Sequence, residues 1–79
     1  MAWDLKPDQP IYTQLIEKIQ LRIISGEYPP GSNLPSVRDL ANEASVNPNT
    51  MQRALAKLEE EGLIMTHRTK GRTVTEDSD

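Results

Sequence analysis

The sequence predicts a small, mainly α-helical domain that ends in a β-hairpin. Three segments place apolar residues at the spacing of a helix, and the third of them begins with an Asn-Pro pair that is typical of a helix start. After this segment the pattern changes to short extended runs around a glycine, as in a hairpin. With 79 residues, the chain can form one domain around a single hydrophobic core. The predicted order is therefore helix, loop, helix, tight turn, helix and hairpin.

The first predicted helix begins near Pro10 and ends before Gly26. Proline suits the first turn because its missing N–H would lack a partner there, and glycine adopts the left-handed conformation that ends many helices. Leu21 and Ile24 lie outside the apolar stripe, so they are either simply exposed or part of a surface for a partner. The stripe itself has the spacing i, i+3, i+4, i+7 and i+11 and consists of Tyr12, Leu15, Ile16, Ile19 and Ile23.

A loop rich in proline and glycine separates the first helix from the second. Residues 32–34 of this loop have room for a short extended segment. The second helix begins at Ser36, whose spacing to Asp39 is that of a capping box. Its buried stripe is predicted to consist of Val37, Leu40, Ala41 and Ala44.

The third helix carries two different stripes. It begins at Asn47 and Pro48 and ends before Gly62. At about 100° per residue, its apolar stripe consists of Met51, Ala54, Leu55 and Leu58. The opposite side carries Asn49, Gln52, Arg53 and Ala56.

This second stripe predicts a surface that reads DNA. Exposed helix faces usually favour Glu and Lys, and capping explains Asn47 but neither Gln52 nor Arg53. Asn and Gln can pair with adenine in the major groove and Arg with guanine, while the methyl group of Thr50 can contact thymine. Ala56 is small enough to let the helix approach a duplex.

The predicted hairpin adds positive charge directly after this helix. Arg68, Lys70 and Arg72 lie around its turn, where they suit phosphates or a narrow minor groove. The formal net charge of −3 owes much to the acidic tail, so it leaves a nucleic-acid partner open.

Composition excludes several other classes of function. The chain has no cysteine, which excludes thiolate catalysis and cysteine-bound zinc, and its single histidine cannot form a metal cluster. No catalytic set of residues stands out, so we expect neither an enzyme nor a cofactor. The sequence has no apolar run of about 18 residues and no signal-peptide pattern, so we expect a cytoplasmic protein that does not enter a membrane.

The motifs together resemble one bacterial family. The runs LPSVRDLA, NPNTMQRAL, LEEEGLI and KGRTV resemble the amino-terminal domain of the GntR family of transcriptional regulators, and the start of the third helix resembles its YtrA branch. The resemblance implies a winged helix-turn-helix fold, with three helices, a short strand before the second helix and a two-stranded wing. It also implies a repressor that binds double-stranded DNA as a dimer on an inverted repeat.

The resemblance further implies which residues contact DNA. These contacts fall at the start of the second helix, along the third helix and in the wing. Many family members have Arg where this chain has Pro48 and Gln52, so the base preference of relatives does not transfer directly. The implied contact residues are Ser36, Arg38, Asn47, Asn49, Thr50, Gln52, Arg53, Lys70 and Gly71.

Family regulators continue beyond the wing into a domain that forms dimers and, in many branches, binds a small-molecule effector. We therefore expect residues 1–9 to be a lead-in, residues 10–75 the DNA-binding domain and residues 76–79 the start of a region that this chain lacks. Full-length protein is expected to be a homodimer. The alternative is a winged-helix module that binds another protein without reading bases.

In the lead-in, Trp3 either packs on the domain or stays loose.

Overall fold

The computed structural model describes residues 3, 5–69 and 71–76, and it places them in three helices and a two-stranded antiparallel sheet. None of these described helices is long and apolar enough to cross a membrane. The order of the elements is the one that the sequence predicts. The helices are α1 (Ile11–Ile24), α2 (Val37–Ala44) and α3 (Pro48–Glu60), and the strands are β1 (Ile64–His67) and β2 (Gly71–Val74).

Helix α3 is the centre of the domain, because it contacts α1, α2 and β1. Its predicted apolar stripe is completely buried, and so are Leu15 and Ile19 of α1 and Leu40 of α2. By contrast, Leu21 is 59% exposed and Ile24 is 80% exposed. The helical periodicity therefore predicts correctly which side of each helix faces the core.

A buried amide holds the chain that precedes α1. The side chain of Gln14 donates to the carbonyl oxygens of Lys6 at 2.8 Å and Gln9 at 3.0 Å, and it accepts from the N–H of Lys6 at 2.7 Å. A buried amide is stable only when its donors and acceptors are paired. Gln14 thus fixes the path of the lead-in, although it lies beside the predicted apolar stripe and not in it.

Arg22 joins the lead-in to the helices. Its guanidinium carbon lies 4.3 Å from the centre of the Trp3 ring, and its Nη1 lies 3.5 Å from a carboxylate oxygen of Glu43 on α2. Burial lowers the pKa of Arg22, but its hydrogen bond to Tyr28 and the carboxylates of Glu27 and Glu43 outweigh burial and raise it. Trp3 is 4% exposed, so it packs on the domain.

The tight turn between α2 and α3 is centred on Ser45. This residue has a φ of 57° and a ψ of 46°, the left-handed conformation. Val46 donates its N–H to the carbonyl of Ala41 at 3.0 Å, and Ser45 donates to Asn42 at 3.3 Å. These bonds form a Schellman motif, which ends α2 and redirects the chain into α3.

The sheet is extended by the segment that precedes α2. Strands β1 and β2 pair along their whole length. Asn33 forms an isolated antiparallel bridge with Thr73 of β2, and the N–H of Leu34 donates to the carbonyl of Arg72 at 2.8 Å. The extended segment predicted at residues 32–34 is therefore present as a partial third strand.

Candidate nucleic-acid interface

The polar stripe of α3 lies on the surface of the domain. Asn49, Gln52 and Arg53 are exposed, and so is Ala56 between them. On the opposite side of the helix, Met51 is fully buried. The amide and guanidinium groups therefore point away from the core, and the small side chain of Ala56 leaves room for a surface to approach.

The start of α3 combines a cap with free donors. The side-chain oxygen of Asn47 accepts from the N–H of Asn49 at 2.8 Å, which leaves the NH₂ group of Asn47 without a partner among the described residues. Thr50 is half-buried one turn further on. Because a helix start presents unpaired N–H groups and the positive end of the helix dipole, it favours an anion such as phosphate.

The start of α2 offers a hydroxyl group and a cation. Ser36 accepts from the N–H of Asp39 at 3.1 Å, as its predicted capping role requires, and its hydroxyl hydrogen stays available to donate. Arg38 is exposed, and it forms no ion pair within the part of the chain that the structure describes. Both groups suit a phosphate oxygen.

In the hairpin, Gly71 is the first residue of β2 and has a φ of 80°. A Cβ atom there would meet no atom within 4 Å, so the backbone conformation and not the available space favours glycine. Arg68 is exposed beside it. Lys70, which the resemblance also implies as a contact, lies outside the described residues.

Arg72 differs from the other hairpin cations because it is half-buried. It lies opposite Thr66 in the sheet, and Thr66 donates its hydroxyl hydrogen to a carboxylate oxygen of Glu59 on α3 at 2.7 Å. Paired residues of this kind point to the same face of a sheet. Arg72 therefore lies on the side of the hairpin that faces α3, and the Nε of Arg72 is buried without a hydrogen-bond partner among the described residues. It is less available to phosphate than its sequence position indicates.

The two cations of α3 have different environments. Lys57 lies 3.2 Å from a carboxylate oxygen of Glu60, and this hydrogen bond raises the pKa of Lys57. Arg53 forms no ion pair with any residue that the structure describes. Its guanidinium carbon instead lies 5.3 Å from the centre of the Tyr12 ring. Sequence periodicity identifies Tyr12 only as a core residue of α1, because a contact between two helices leaves no periodic signal in either.

The predicted contact residues lie on α2, on α3 and at the start of β2. Helix α2 and the hairpin both contact α3, so these elements are held around the same helix. In the part of the chain that is described, Thr50 is half-exposed and the other predicted contacts are exposed: Ser36, Arg38, Asn47, Asn49, Gln52, Arg53 and Gly71.

Comparison with known proteins identifies this arrangement. Residues 11–74 match the bacterial regulatory proteins of the gntR family. The chain belongs to the GntR family. It is 40% identical over 75 residues to the HTH-type transcriptional repressor YtrA of Bacillus subtilis, which covers 95% of this chain and 58% of YtrA. This GntR-family chain thus spans little more than half of YtrA. It likewise spans 56% of the uncharacterized HTH-type transcriptional regulator YhcF of Bacillus subtilis.

Solved structures of other proteins share the fold. A GntR family transcriptional regulator from Listeria monocytogenes has a TM-score of 0.88 and 45% identity, over 92% of this chain and 64% of that chain. AraR(DBD) in complex with operator ORE1 has a TM-score of 0.80 and 27% identity, over 85% of this chain and 82% of that chain. These matches confirm the predicted winged helix-turn-helix fold and the predicted class, a DNA-binding domain of a transcriptional regulator.

Proposed function

We propose that this GntR domain recognises a DNA operator for a bacterial repressor, and that the polar stripe of α3 reads its bases. The observation that carries this proposal is the exposure of Asn49, Gln52 and Arg53 on the side of α3 opposite the core. An α-helix fits the major groove of B-DNA, where amides and guanidinium groups distinguish base pairs. The repressor activity of YtrA and the operator bound by AraR support the same assignment.

We assign different tasks to the surrounding residues. Gln52 and Arg53 read base edges, with Asn49 beside them and the methyl group of Thr50 available to a thymine. The remaining contacts hold the phosphate backbone and thereby set the position of α3 in the groove. They are Ser36 and Arg38 on α2, Asn47 at the start of α3, and Arg68, Lys70 and Gly71 in the wing.

We further propose that the full-length protein binds an inverted repeat as a homodimer in the cytoplasm. The curated relatives are longer than this chain, so a region beyond the DNA-binding domain, residues 10–75, has room to form the dimer and to bind a small-molecule effector. Residues 76–79 would begin that region. Two α3 helices would then enter half-sites about one helical turn of DNA apart, roughly 34–36 Å.

The test is a selection of bound duplexes from a randomised library, followed by affinity measurements over a range of salt concentrations. We expect the chain to enrich one short motif, with an affinity that falls as salt rises because phosphates are neutralised. Gln52→Ala should relax preference at one base pair, at a cost of about 1–3 kcal/mol if the contact is bidentate. Lys70→Ala should instead weaken binding to all sequences and reduce the salt dependence.

Gln9→Ala is the matched control, because it removes an exposed amide from the segment before α1 and not from α3. This variant should keep the preference of the unmodified chain. Equal affinity for the enriched motif and for a scrambled duplex would refute base reading. On adding a short duplex, chemical-shift changes should map to α3 and the wing, and their absence would favour the alternative of a protein-binding module.

A further inference from the structure

We infer that Tyr12 is a positioning residue, which holds the guanidinium group of Arg53 ready for base reading. The inference rests on the proposed function and adds a specificity-determining residue that lies outside α3. Its basis is the contact of Arg53 with the Tyr12 ring, with 5.3 Å between the guanidinium carbon and the ring centre. Tyr12 lies in the first turn of α1, and α1 packs directly against α3.

The Tyr12 ring is itself fixed by the fold. Tyr12 is half-buried and packs against the hydrophobic core, so one part of the ring contacts apolar side chains and another part meets Arg53. Two features hold the start of α1 in place. Gln14 anchors the preceding chain through Lys6 and Gln9, and Leu15 is completely buried one turn further along. The ring is therefore a rigid support and not a mobile surface group.

An aromatic ring holds a guanidinium group in a way that a carboxylate cannot. A carboxylate would neutralise the charge of the guanidinium group and occupy two of its N–H donors. Glu60 pairs with the charge of Lys57 one turn further along α3. A ring attracts the cation through its face and leaves the in-plane N–H donors free. Arg53 is thus oriented while its charge and its donors stay available to a guanine edge.

Orientation matters because a free arginine side chain has many rotamers. Ordering such a side chain opposes binding, and a group that is already ordered loses less entropy when it binds. Arg53 stands at one border of the polar stripe, about 200° around the helix from Met51, on the side where α1 approaches. Tyr12 is placed to keep this border residue directed along the stripe.

The decisive experiment compares base preference in the 79-residue chain and in matched variants. The same randomised duplex library is selected with the unmodified chain and with Tyr12→Leu, Tyr12→Phe, Arg53→Ala and the double variant Tyr12→Leu/Arg53→Ala. Leucine keeps an apolar group against the core but removes the ring. Phenylalanine keeps the ring and removes only the hydroxyl group, which could otherwise contact a phosphate directly.

We expect Tyr12→Leu to reduce preference by about two- to fivefold at the base pair that Arg53→Ala affects, and at no other position. This range corresponds to about 0.5–1 kcal/mol for a cation–π contact at an exposed site. Tyr12→Phe should restore the preference. The double variant should lose no more than Arg53→Ala alone, because the ring acts through Arg53.

Three results would overturn the inference while leaving operator binding intact. They are an unchanged preference in Tyr12→Leu, a loss of similar size in Tyr12→Phe, and a further loss on adding Tyr12→Leu to Arg53→Ala. If the unmodified chain itself enriches no motif, the proposed function fails, and base positioning by Tyr12 fails with it. The two failures are therefore distinct.

Nuclear magnetic resonance of the free chain supplies a readout that needs no DNA. The ring should shift the Arg53 side-chain protons upfield and slow the motion of its Nε–H, and both effects should disappear in Tyr12→Leu and persist in Tyr12→Phe. A freely moving Arg53 in the unmodified chain would contradict the inference, even if Tyr12→Leu were too unstable for the selection. Thermal unfolding of each variant separates lost packing from lost positioning.

Discussion

Replacing Trp3 with alanine should destabilise the domain by about 3 kcal/mol, although Trp3 lies before the first helix. The indole ring is 4% exposed and packs against the guanidinium group of Arg22 at 4.3 Å. A buried tryptophan removes about 150–250 Å² from water. At about 25 cal/mol per Å², this burial contributes roughly 4–6 kcal/mol as an upper bound.

Two effects oppose each other, and we expect relaxation of the lead-in to be the larger, so the expected loss lies below that bound. The lead-in can relax into the space that the ring vacates, which reduces the loss, whereas Arg22 loses a cation–π contact of about 1 kcal/mol. A net loss of about 3 kcal/mol is a large fraction of the stability of a chain this long, which is on the order of 4–12 kcal/mol.

Urea unfolding followed by circular dichroism at 222 nm is the appropriate assay. Trp3 is the only tryptophan, so its removal abolishes tryptophan fluorescence as a probe. With a urea dependence near 1 kcal/mol per M, the midpoint should fall by about 3 M. Leu21→Ala is the matched control, because Leu21 is large, apolar and 59% exposed, and its change should stay within about 0.5 kcal/mol. A loss below about 1 kcal/mol in Trp3→Ala would show that the lead-in detaches in solution.

Three further changes test local features of the fold. Asn47→Ala removes the cap of α3 and should cost about 1 kcal/mol, seen as a melting temperature lower by roughly 4–8 °C; an unchanged temperature would show that the cap bond is absent in solution. Ser45→Gly should increase the free energy of unfolding by up to about 1 kcal/mol, because glycine adopts a φ of 57° without strain. The urea midpoint should rise accordingly. A lower midpoint would contradict the left-handed turn. Thr66→Val removes the hydroxyl that bonds Glu59 and should speed amide hydrogen exchange in β1, and unaltered exchange would show that this bond does not hold the wing.

The boundaries of the helices could be predicted from the sequence because they depend on local chemistry. Ser36 and Asn47 cap α2 and α3 where their spacing predicts, and the backbone N–H groups that they bind lie two or three residues away. The same applies to the buried stripes, because the period of a helix relates sequence position directly to side. The polar stripe of α3 follows from this relation, since it is what remains after the core positions are assigned.

The buried polar contacts could not be predicted in this way, because each depends on a residue from a distant element. In the sequence, Arg22 has the pattern of an ordinary surface cation. Only the fold brings Trp3 and Glu43 into contact with it. Arg53 and Tyr12 likewise meet only because α1 packs on α3. The tight turn between α2 and α3 lies where the sequence predicts it, but the left-handed conformation of Ser45 could not be predicted, because that conformation usually identifies a glycine.

The bond between Thr66 and Glu59 has a consequence for how operators can vary. It adds to the packing of β1 on α3, so we expect the hairpin and the helix to keep a constant separation. On a duplex, such a pair would hold its two contacts at a fixed spacing. If α3 reads bases and the hairpin holds the backbone, as we propose, one base pair inserted between the two contacts would displace one of them. Natural operators should therefore vary in base sequence at positions that the protein does not read. The spacing of contacts within one half-site should hardly vary.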